Sequence, residues 1–173
     1  TGRSPTKKYA YYLRIIVMQL KELLYKVALV SVKGPTDIAV SKIEFDSRKV
    51  AHQDVFVAIR GTVSNGHDYI AKAIELGAVV IVCDTLPEQF HDGVTYVQVV
   101  DTNSALAYMA NNFYGNPSEK IKVVAVTGTN GKTTTVTLLH QLFVRMGYST
   151  GLLSTVENKI NETILPATHT TPD

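Results

Sequence analysis

The chain has 173 residues, 45% hydrophobic and 18% charged, a globular composition that excludes disorder, collagen and coiled coil for the chain as a whole. Its single cysteine excludes an intramolecular disulfide and a multi-cysteine zinc site, and fits a cytoplasmic protein. The net charge of +2 arises from four basic residues before Met18, since 13 basic and 15 acidic residues follow. We therefore expect no nucleic-acid partner. No apolar run reaches the ~20 residues of a membrane span.

Residues 1–17 are predicted to be a disordered leader, either vector-derived or translated from upstream of a natural start at Met18. A signal peptide is the alternative. Its apolar run is short here, no small-residue cleavage site follows it, and Lys21 interrupts it.

The first domain is predicted to occupy residues 18–116. It begins with a short amphipathic helix, whose apolar face carries Leu20, Leu23, Leu24 and Val27. Strands are predicted at Ile38–Phe45 and Asp54–Ile59, with the polar turn DSRKVAHQD between them. The segment RGTVSNGH (60–67) is predicted to be a loop whose backbone can approach a ligand closely, because it contains two glycines and an asparagine.

Further elements alternate along the rest of this domain. Asp68 is predicted to cap a helix that starts near Ile70 and stops at Gly77. Strands are predicted at Ala78–Cys83 and Tyr96–Val100, and a helix capped by Asp101, Thr102 or Asn103 continues to Phe113. The sequence Gly115-Asn116-Pro117 predicts the domain boundary.

The second domain, residues 117–173, is predicted to open a parallel sheet. A β-branched run at Ile121–Val126 predicts a strand, a glycine-rich turn follows, and Lys132–Met146 predicts a helix. A strand near Ser149–Leu153 would complete a βαβ unit. The fold class is therefore α/β: a small mixed-sheet domain followed by the first βαβ part of a P-loop domain. We expect a piece of a longer protein, because one such unit is too little for a parallel sheet.

The glycine-rich turn carries the sharpest chemical signal. Gly128 and Gly131 let backbone N–H groups surround a phosphate, and the following helix points its positive end at the same anion. Lys132 is the predicted catalytic residue because it reaches the β and γ oxygens, and the Thr133 hydroxyl is a predicted Mg²⁺ ligand. The predicted ATP-binding residues are Gly128, Thr129, Asn130, Gly131, Lys132, Thr133 and Thr134. Val126 replaces the first glycine of the general motif; the alternative is an ordinary glycine turn with a solvated lysine.

Four ordered motifs resemble the Mur ligases, which attach amino acids to the nucleotide-linked precursor of peptidoglycan. VVAVTGTNGKTTT resembles their ATP loop, and FDSRKV, DVFVAIRG and NGHDYIAKAIELGA are similar to a uridine-nucleotide-binding domain shared by two members. HTTPD at the end of the chain resembles a substrate-contacting stretch of the member that adds the third residue. The resemblance covers Met18–Asp173.

The resemblance implies a set of contacts to the UDP-sugar substrate. Ser47 corresponds to a uridine-nucleotide contact, the loop Thr62, Val63 and Ser64 packs on the same nucleotide, and Thr170 and Thr171 correspond to contacts with the muramoyl part. The alternative for Ser47 is a turn residue bonded to its own backbone.

The implied reaction joins a diamino acid, diaminopimelate or lysine, to UDP-MurNAc-L-Ala-D-Glu through an acyl phosphate, with ATP as substrate and Mg²⁺ as cofactor. The resemblance places a carbamylated lysine, a metal-binding glutamate and a C-terminal domain beyond Asp173, so we expect the chain to bind part of its ligands without turnover. We also expect a monomer. The alternatives are the Mur ligase that adds the terminal dipeptide, a non-catalytic nucleotide-sugar-binding module, and a P-loop GTPase or kinase.

Three other features are interpreted as structural. Four histidines, at positions 52, 67, 91 and 140, have no metal-ligand spacing. Asp46 and Arg48 are predicted to pair and hold the turn at Ser47. Cys83 is predicted to be an inert core thiol.

Overall fold

A computed structural model describes residues 17–61 and 64–165. The chain divides into two compact units between Ile121 and Lys122, and the boundary predicted after Asn116 lies just before this division. Each unit is described by itself. The predicted leader lies outside the described residues, apart from Val17.

The described residues of the first unit form seven strands and three α-helices. In chain order they are β1 (Met18–Gln19), α1 (Leu20–Leu23), β2 (Leu29–Lys33), β3 (Ala39–Val40), β4 (Ile43–Glu44), β5 (Val55–Val57), α2 (Ile70–Glu75), β6 (Val80–Cys83), β7 (Thr95–Val99) and α3 (Thr102–Phe113). Five strands form a mixed sheet in the order β2-β7-β6-β5-β4. Strands β4 to β7 are parallel, and β2 joins β7 antiparallel.

Apolar side chains fill both faces of this sheet. Val55 and Val57 belong to a buried cluster with α1 and α3, whereas Phe56 between them packs with α2 on the other face. This alternation follows from the two-residue period of a strand. Because each fully buried apolar side chain contributes about 1.5–3 kcal/mol, the two clusters hold the parallel strands rigidly between layers of helices.

The first helix depends on the last one for its contacts. Its predicted apolar face is buried, which confirms that part of the prediction, but α1 is only four residues long and no side chain caps its start. Asn112 on α3 donates its side-chain amide to the carbonyl oxygens of Leu23 (2.9 Å) and Tyr25 (2.7 Å). The carbonyls that follow α1 are therefore satisfied by α3.

Two local predictions for this unit are wrong. The segment Ile38–Phe45 is two short strands, because β3 pairs with β1 while β4 pairs with β5, so the chain changes partner between them. Asp68 does not cap α2. Instead the Asn65 side chain accepts a hydrogen bond from His67 N (3.2 Å), at the start of a 3₁₀ turn, Gly66–Tyr69, that leads into the helix.

The caps and strands that follow are close to the prediction. Asp101 caps α3 by accepting hydrogen bonds from the backbone N of Asn103 (3.0 Å) and Ser104 (3.2 Å). Strand β6 lies within the predicted buried run, and Cys83 at its end is a buried free thiol, as predicted.

The second unit contains α4 (Lys132–Arg145), β8 (Gly151–Leu152), β9 (Asn158–Ile160) and β10 (Thr163–Leu165). The helix is confirmed. The predicted strand at Ile121–Val126 and the βαβ unit are not found in the described residues, where β8 pairs antiparallel with β9. A strand needs a hydrogen-bonded neighbour, and the side chains of Val123 and Val124 are 71% and 65% exposed. No helix within residues 17–61 or 64–165 has the length and apolar character to cross a membrane.

Candidate nucleotide-binding sites

The glycine-rich turn of the second unit bends sharply into the N-terminus of α4. Gly128 (φ 144°) and Gly131 (φ 77°) both have left-handed backbones, and Gly131 is the N-cap of α4. A Cβ at Gly131 would meet nothing within 4 Å, so the backbone angle and not space favours glycine. No side chain of the described residues caps this helix end. The N–H groups of its first turn are therefore available to an anion.

Lys132 folds back over this turn. Its Nζ donates a hydrogen bond to Gly128 O and lies 3.4 Å from Thr129 O, so its ammonium lies against the loop backbone. Thr135, which the sequence analysis did not select, donates its hydroxyl to Gly131 O (2.9 Å) and strengthens the junction between turn and helix. The turn thus brings together a cation and a helix N-terminus, the two features that bind phosphate.

Thr133 follows Lys132 in the first turn of α4, and its side chain is partly exposed. Its hydroxyl oxygen has the chemistry that Mg²⁺ accepts, and Mg²⁺ usually takes only one or two protein ligands beside substrate phosphates. No group of three His, Cys, Asp or Glu side chains in the described part of the chain is arranged to hold a metal ion. The Thr133 hydroxyl fits a metal that arrives with a nucleotide, because the phosphates supply the further ligands.

Ser47 lies at the end of the first unit's edge strand β4, in a 3₁₀ turn that runs from Ser47 to Lys49. The Asp46 carboxylate accepts a hydrogen bond from Arg48 N (3.1 Å) and pairs with the Arg48 guanidinium at 2.8 and 2.9 Å. The predicted pairing of Asp46 with Arg48 is thus confirmed. These hydrogen bonds from Arg48 lower the pKa of Asp46 to about 2. Ser47 itself is buried, and its hydroxyl makes no hydrogen bond within this turn.

The loop after β5 is closed by its own backbone. Arg60 and Asn65 form an antiparallel bridge, and Gly61 N donates to Ser64 O (3.0 Å). Gly66 N donates to Ile59 O (2.8 Å), and a Cβ at Gly66 would lie 2.6 Å from Ile59 N, so only glycine fits there. Thr62 and Val63, and likewise Thr170 and Thr171, lie outside the described residues.

Four side chains that the sequence analysis did not select form what we call the Asp84 cluster: Arg60, His67, Asp84 and Thr85. Arg60 donates Nε to Asp84 Oδ2 (2.8 Å) and Nη2 to both Asp84 Oδ1 and Thr85 Oγ1 (2.9 Å each). His67 Nε2 lies 3.0 Å from Asp84 Oδ1. The hydrogen bond from Arg60 is the main cause that lowers the pKa of Asp84.

These features share one edge of the sheet. Ser47, Arg60 and Asp84 follow the carboxyl ends of β4, β5 and β6, which are parallel and adjacent. Ligands of open α/β sheets bind in the crevice outside the carboxyl ends of the strands. The signal that could have found Asp84 is its place directly after a buried strand, but its partners lie far away in sequence.

Two family models match the chain. One, described as "Mur ligase family, catalytic domain", matches residues 39–114, and the other, "Mur ligase middle domain", matches residues 126–173. The chain belongs to the Mur ligase family. Membership of this family excludes the GTPase and kinase alternatives. The first matched range contains Ser47 and the Asp84 cluster, and the second contains the glycine-rich turn.

Curated relatives of this Mur ligase are named UDP-N-acetylmuramoyl-L-alanyl-D-glutamate--2,6-diaminopimelate ligase. The relative from Cytophaga hutchinsonii is 56% identical over 157 residues, which is 90% of this chain and 32% of the relative. The relative from Bacteroides fragilis is 47% identical over 156 residues, again 90% and 32%. The chain thus spans about a third of the length of these relatives.

Solved Mur ligase structures share the fold. A structure titled as the 2,6-diaminopimelate ligase gives a TM-score of 0.70 at 21% identity and covers 91% of this chain and 31% of that chain. The UDP-N-acetylmuramoylalanyl-D-glutamyl-2,6-diaminopimelate--D-alanyl-D-alanyl ligase from Acinetobacter baumannii gives a TM-score of 0.57 at 22% identity, with 83% of this chain and 32% of that chain covered. The mixed α/β architecture predicted from the sequence is thereby confirmed.

Proposed function

We propose that this Mur ligase joins 2,6-diaminopimelate to UDP-MurNAc-L-Ala-D-Glu at the expense of ATP. The names of the Cytophaga and Bacteroides relatives support this substrate pair, at 56% and 47% identity. They favour diaminopimelate over lysine and over the dipeptide-adding reaction. These nucleotide substrates also make the cytoplasm the proposed location. We propose further that the 173 residues alone bind parts of the substrates without turnover.

The turn into α4 is the observation that supports ATP binding. The N–H groups of its first turn and the Lys132 ammonium would bind the β- and γ-phosphates. The proposed ATP-binding residues are Gly128, Thr129, Asn130, Gly131, Lys132, Thr133 and Thr134. Thr133 would hold Mg²⁺, which when bound neutralises charge on the phosphates. Lys132 has the catalytic role because it stabilises the negative charge that develops on the moving phosphoryl group.

The proposed reaction balances in two steps. The side-chain carboxylate of the D-glutamyl residue attacks the γ-phosphorus and ADP leaves, which gives an acyl phosphate. The diaminopimelate amine then attacks the acyl carbon and inorganic phosphate leaves, with loss of a proton from nitrogen. The described residues contribute mainly position and charge to the first step.

The uridine nucleotide is assigned to the carboxyl edge of the first unit. Ser47, Thr62, Val63 and Ser64 are its proposed contacts, and Thr170 and Thr171 are proposed to contact the muramoyl part. The support is that Ser47 and the loop closed by Gly61 and Ser64 both follow parallel strands at the same edge.

The test is a pair of titrations of the 173-residue chain, followed by backbone amide NMR. UDP-MurNAc-L-Ala-D-Glu should shift signals near Ser47, Gly61 and Gly66, while Mg-ATP should shift those of the turn before α4. Lys132→Ala should abolish only the ATP shifts, whereas Lys122→Ala, which removes an exposed lysine of the same unit, should leave both. The assignment is wrong if Mg-ATP alone shifts the signals near Ser47.

A further inference from the structure

The Asp84 cluster holds both ends of the loop that follows β5. Arg60 immediately precedes Gly61, and His67 immediately follows Gly66, so the two residues flank the loop. Both reach the same carboxylate, at 2.8 and 2.9 Å from Arg60 and 3.0 Å from His67. Asp84 itself follows β6, whose four residues are all buried. A single carboxylate directly after a rigid neighbouring strand thus holds Arg60 by two hydrogen bonds and lies close to His67, whose Nε2 makes no hydrogen bond to the described residues.

His67 extends this arrangement into the loop. Its Nδ1 lies 2.9 Å from Asn65 Oδ1, and the same oxygen accepts the His67 backbone N–H at 3.2 Å. A backbone N–H can only donate, so the Asn65 atom that faces it is the oxygen. The imidazole ring therefore lies between Asn65, which its Nδ1 contacts, and Asp84, which its Nε2 approaches without forming a hydrogen bond.

Two further hydrogen bonds hold Asp84, one at its carboxylate and one at its backbone carbonyl. The Thr85 hydroxyl donates to Asp84 Oδ1 (3.0 Å), and the Gln98 amide on β7 donates to the Asp84 carbonyl oxygen (3.1 Å). These contacts leave the carboxylate little freedom to rotate. The fork of Arg60 requires this fixed orientation, because two parallel N–H bonds must meet two oxygens.

We propose that Asp84 is a positioning residue for uridine-nucleotide binding, which acts by holding Arg60 and by packing against His67, so that the loop ends Gly61 and Ser64 keep their place at the nucleotide. This inference rests on the proposed function, which assigns that loop to the nucleotide. Asp84 touches the nucleotide only through this loop.

Exposure separates this role from a contribution to stability. The Arg60 and Asp84 side chains are 55% and 25% exposed, and exposed ion pairs contribute only about 0–1 kcal/mol. Loss of the pair should therefore change the melting temperature little. If the binding geometry of the loop falls to about a tenth of the population, the apparent Kd of the nucleotide rises about tenfold.

The experiment measures the Kd of UDP-MurNAc-L-Ala-D-Glu and of Mg-ATP for the 173-residue chain by calorimetry. Asp84→Asn and Arg60→Lys should each raise the Kd of the UDP-sugar about tenfold, because a lysine cannot form the fork, and should leave the Kd of Mg-ATP unchanged. The double variant should lose little more than either single one, since both break the same contact. Glu88→Gln is the matched control, an exposed acid whose loss should change neither Kd.

The outcomes separate the two proposals. If the unsubstituted chain does not bind the UDP-sugar, the proposed function fails and the inference falls with it. If it binds and both variants bind within about twofold of it, Asp84 has no positioning role and the proposed function stands. Should Asp84→Asn lose its dispersed NMR spectrum, Arg60→Lys and Thr85→Val decide alone, and unchanged affinity in both overturns the inference.

Discussion

Gly66→Ala should destabilise the first unit strongly, although it adds one methyl group at its surface edge. The new Cβ would lie 2.6 Å from Ile59 N, 2.7 Å from Ile59 O and 2.9 Å from Ala58 C. All three atoms belong to the backbone at the end of β5, so no side chain can turn away. Relief requires the loop to move outward, which breaks the hydrogen bond from Gly66 N to Ile59 O.

The size of the effect follows from these contacts. Overpacking a rigid site costs about 1–3 kcal/mol, and the lost hydrogen bond adds about 1 kcal/mol. A total of roughly 2–4 kcal/mol lowers the melting temperature of a domain of about 100 residues by roughly 10–30 °C. The displaced loop should also weaken binding of the UDP-sugar.

Thermal unfolding followed by circular dichroism measures this effect. Gly151→Ala, in the second unit, is the control for the glycine-to-alanine change itself, because its Cβ would lie 3.9 Å from Lys159 O, an ordinary contact. We expect the control to shift the melting temperature by less than about 3 °C. If Gly66→Ala behaves like the control, the close packing of the loop on Ile59 is refuted.

Three further predictions concern single side chains. In the complete enzyme, Lys132→Ala should lower kcat by roughly 10²–10³ with little change in the KM for the UDP-sugar, and a near-normal kcat would contradict its phosphate-binding role. Burial raises the pKa of Cys83 to about 11, so native chain at pH 8 should react with a thiol reagent far more slowly than chain in denaturant. The folded-state pKa of Asp46, about 2, is below its ordinary 3.8, so its contribution exists above pH 3.8 and is lost towards pH 2. The difference in urea midpoint between unsubstituted chain and Asp46→Asn should therefore close as pH falls through that range, and a constant difference would exclude the ion pair as its source.

Local sequence patterns predicted β5, β6, β7 and α3 because apolar runs and caps are formed by consecutive residues, whereas β2, whose five residues are all exposed, was not predicted. The continuous apolar run at β6 is typical of a strand covered on both faces, and Asp101 directly precedes the first turn of α3. The run Ile121–Val126 is similarly rich in β-branched residues, yet it forms no strand among the described residues. Composition indicates what a segment suits, whereas a strand also requires a neighbour to pair with.

The residues of the candidate sites also differ in whether the sequence could indicate them. The glycine turn and Lys132 are contiguous, so the sequence alone indicated a phosphate-binding turn. Asp84 was missed because it meets Arg60 and His67 only through the order of the strands, which no short motif contains. The predicted cap Asp68 is wrong because a 3₁₀ turn, capped by Asn65, precedes α2.

The two hydrogen bonds from the Asn112 side chain to the carbonyls of Leu23 and Tyr25 affect how the first unit unfolds. A four-residue helix has no stability of its own, because nucleation is costly and only longer helices offset it. The amides of α1 should therefore exchange with solvent together with those of α3 in one cooperative opening. Cleavage of the chain before Asn112 would remove the hydrogen-bond donor of two carbonyls that lie 87 and 89 residues upstream. Helix α1 should therefore unfold whenever α3 does.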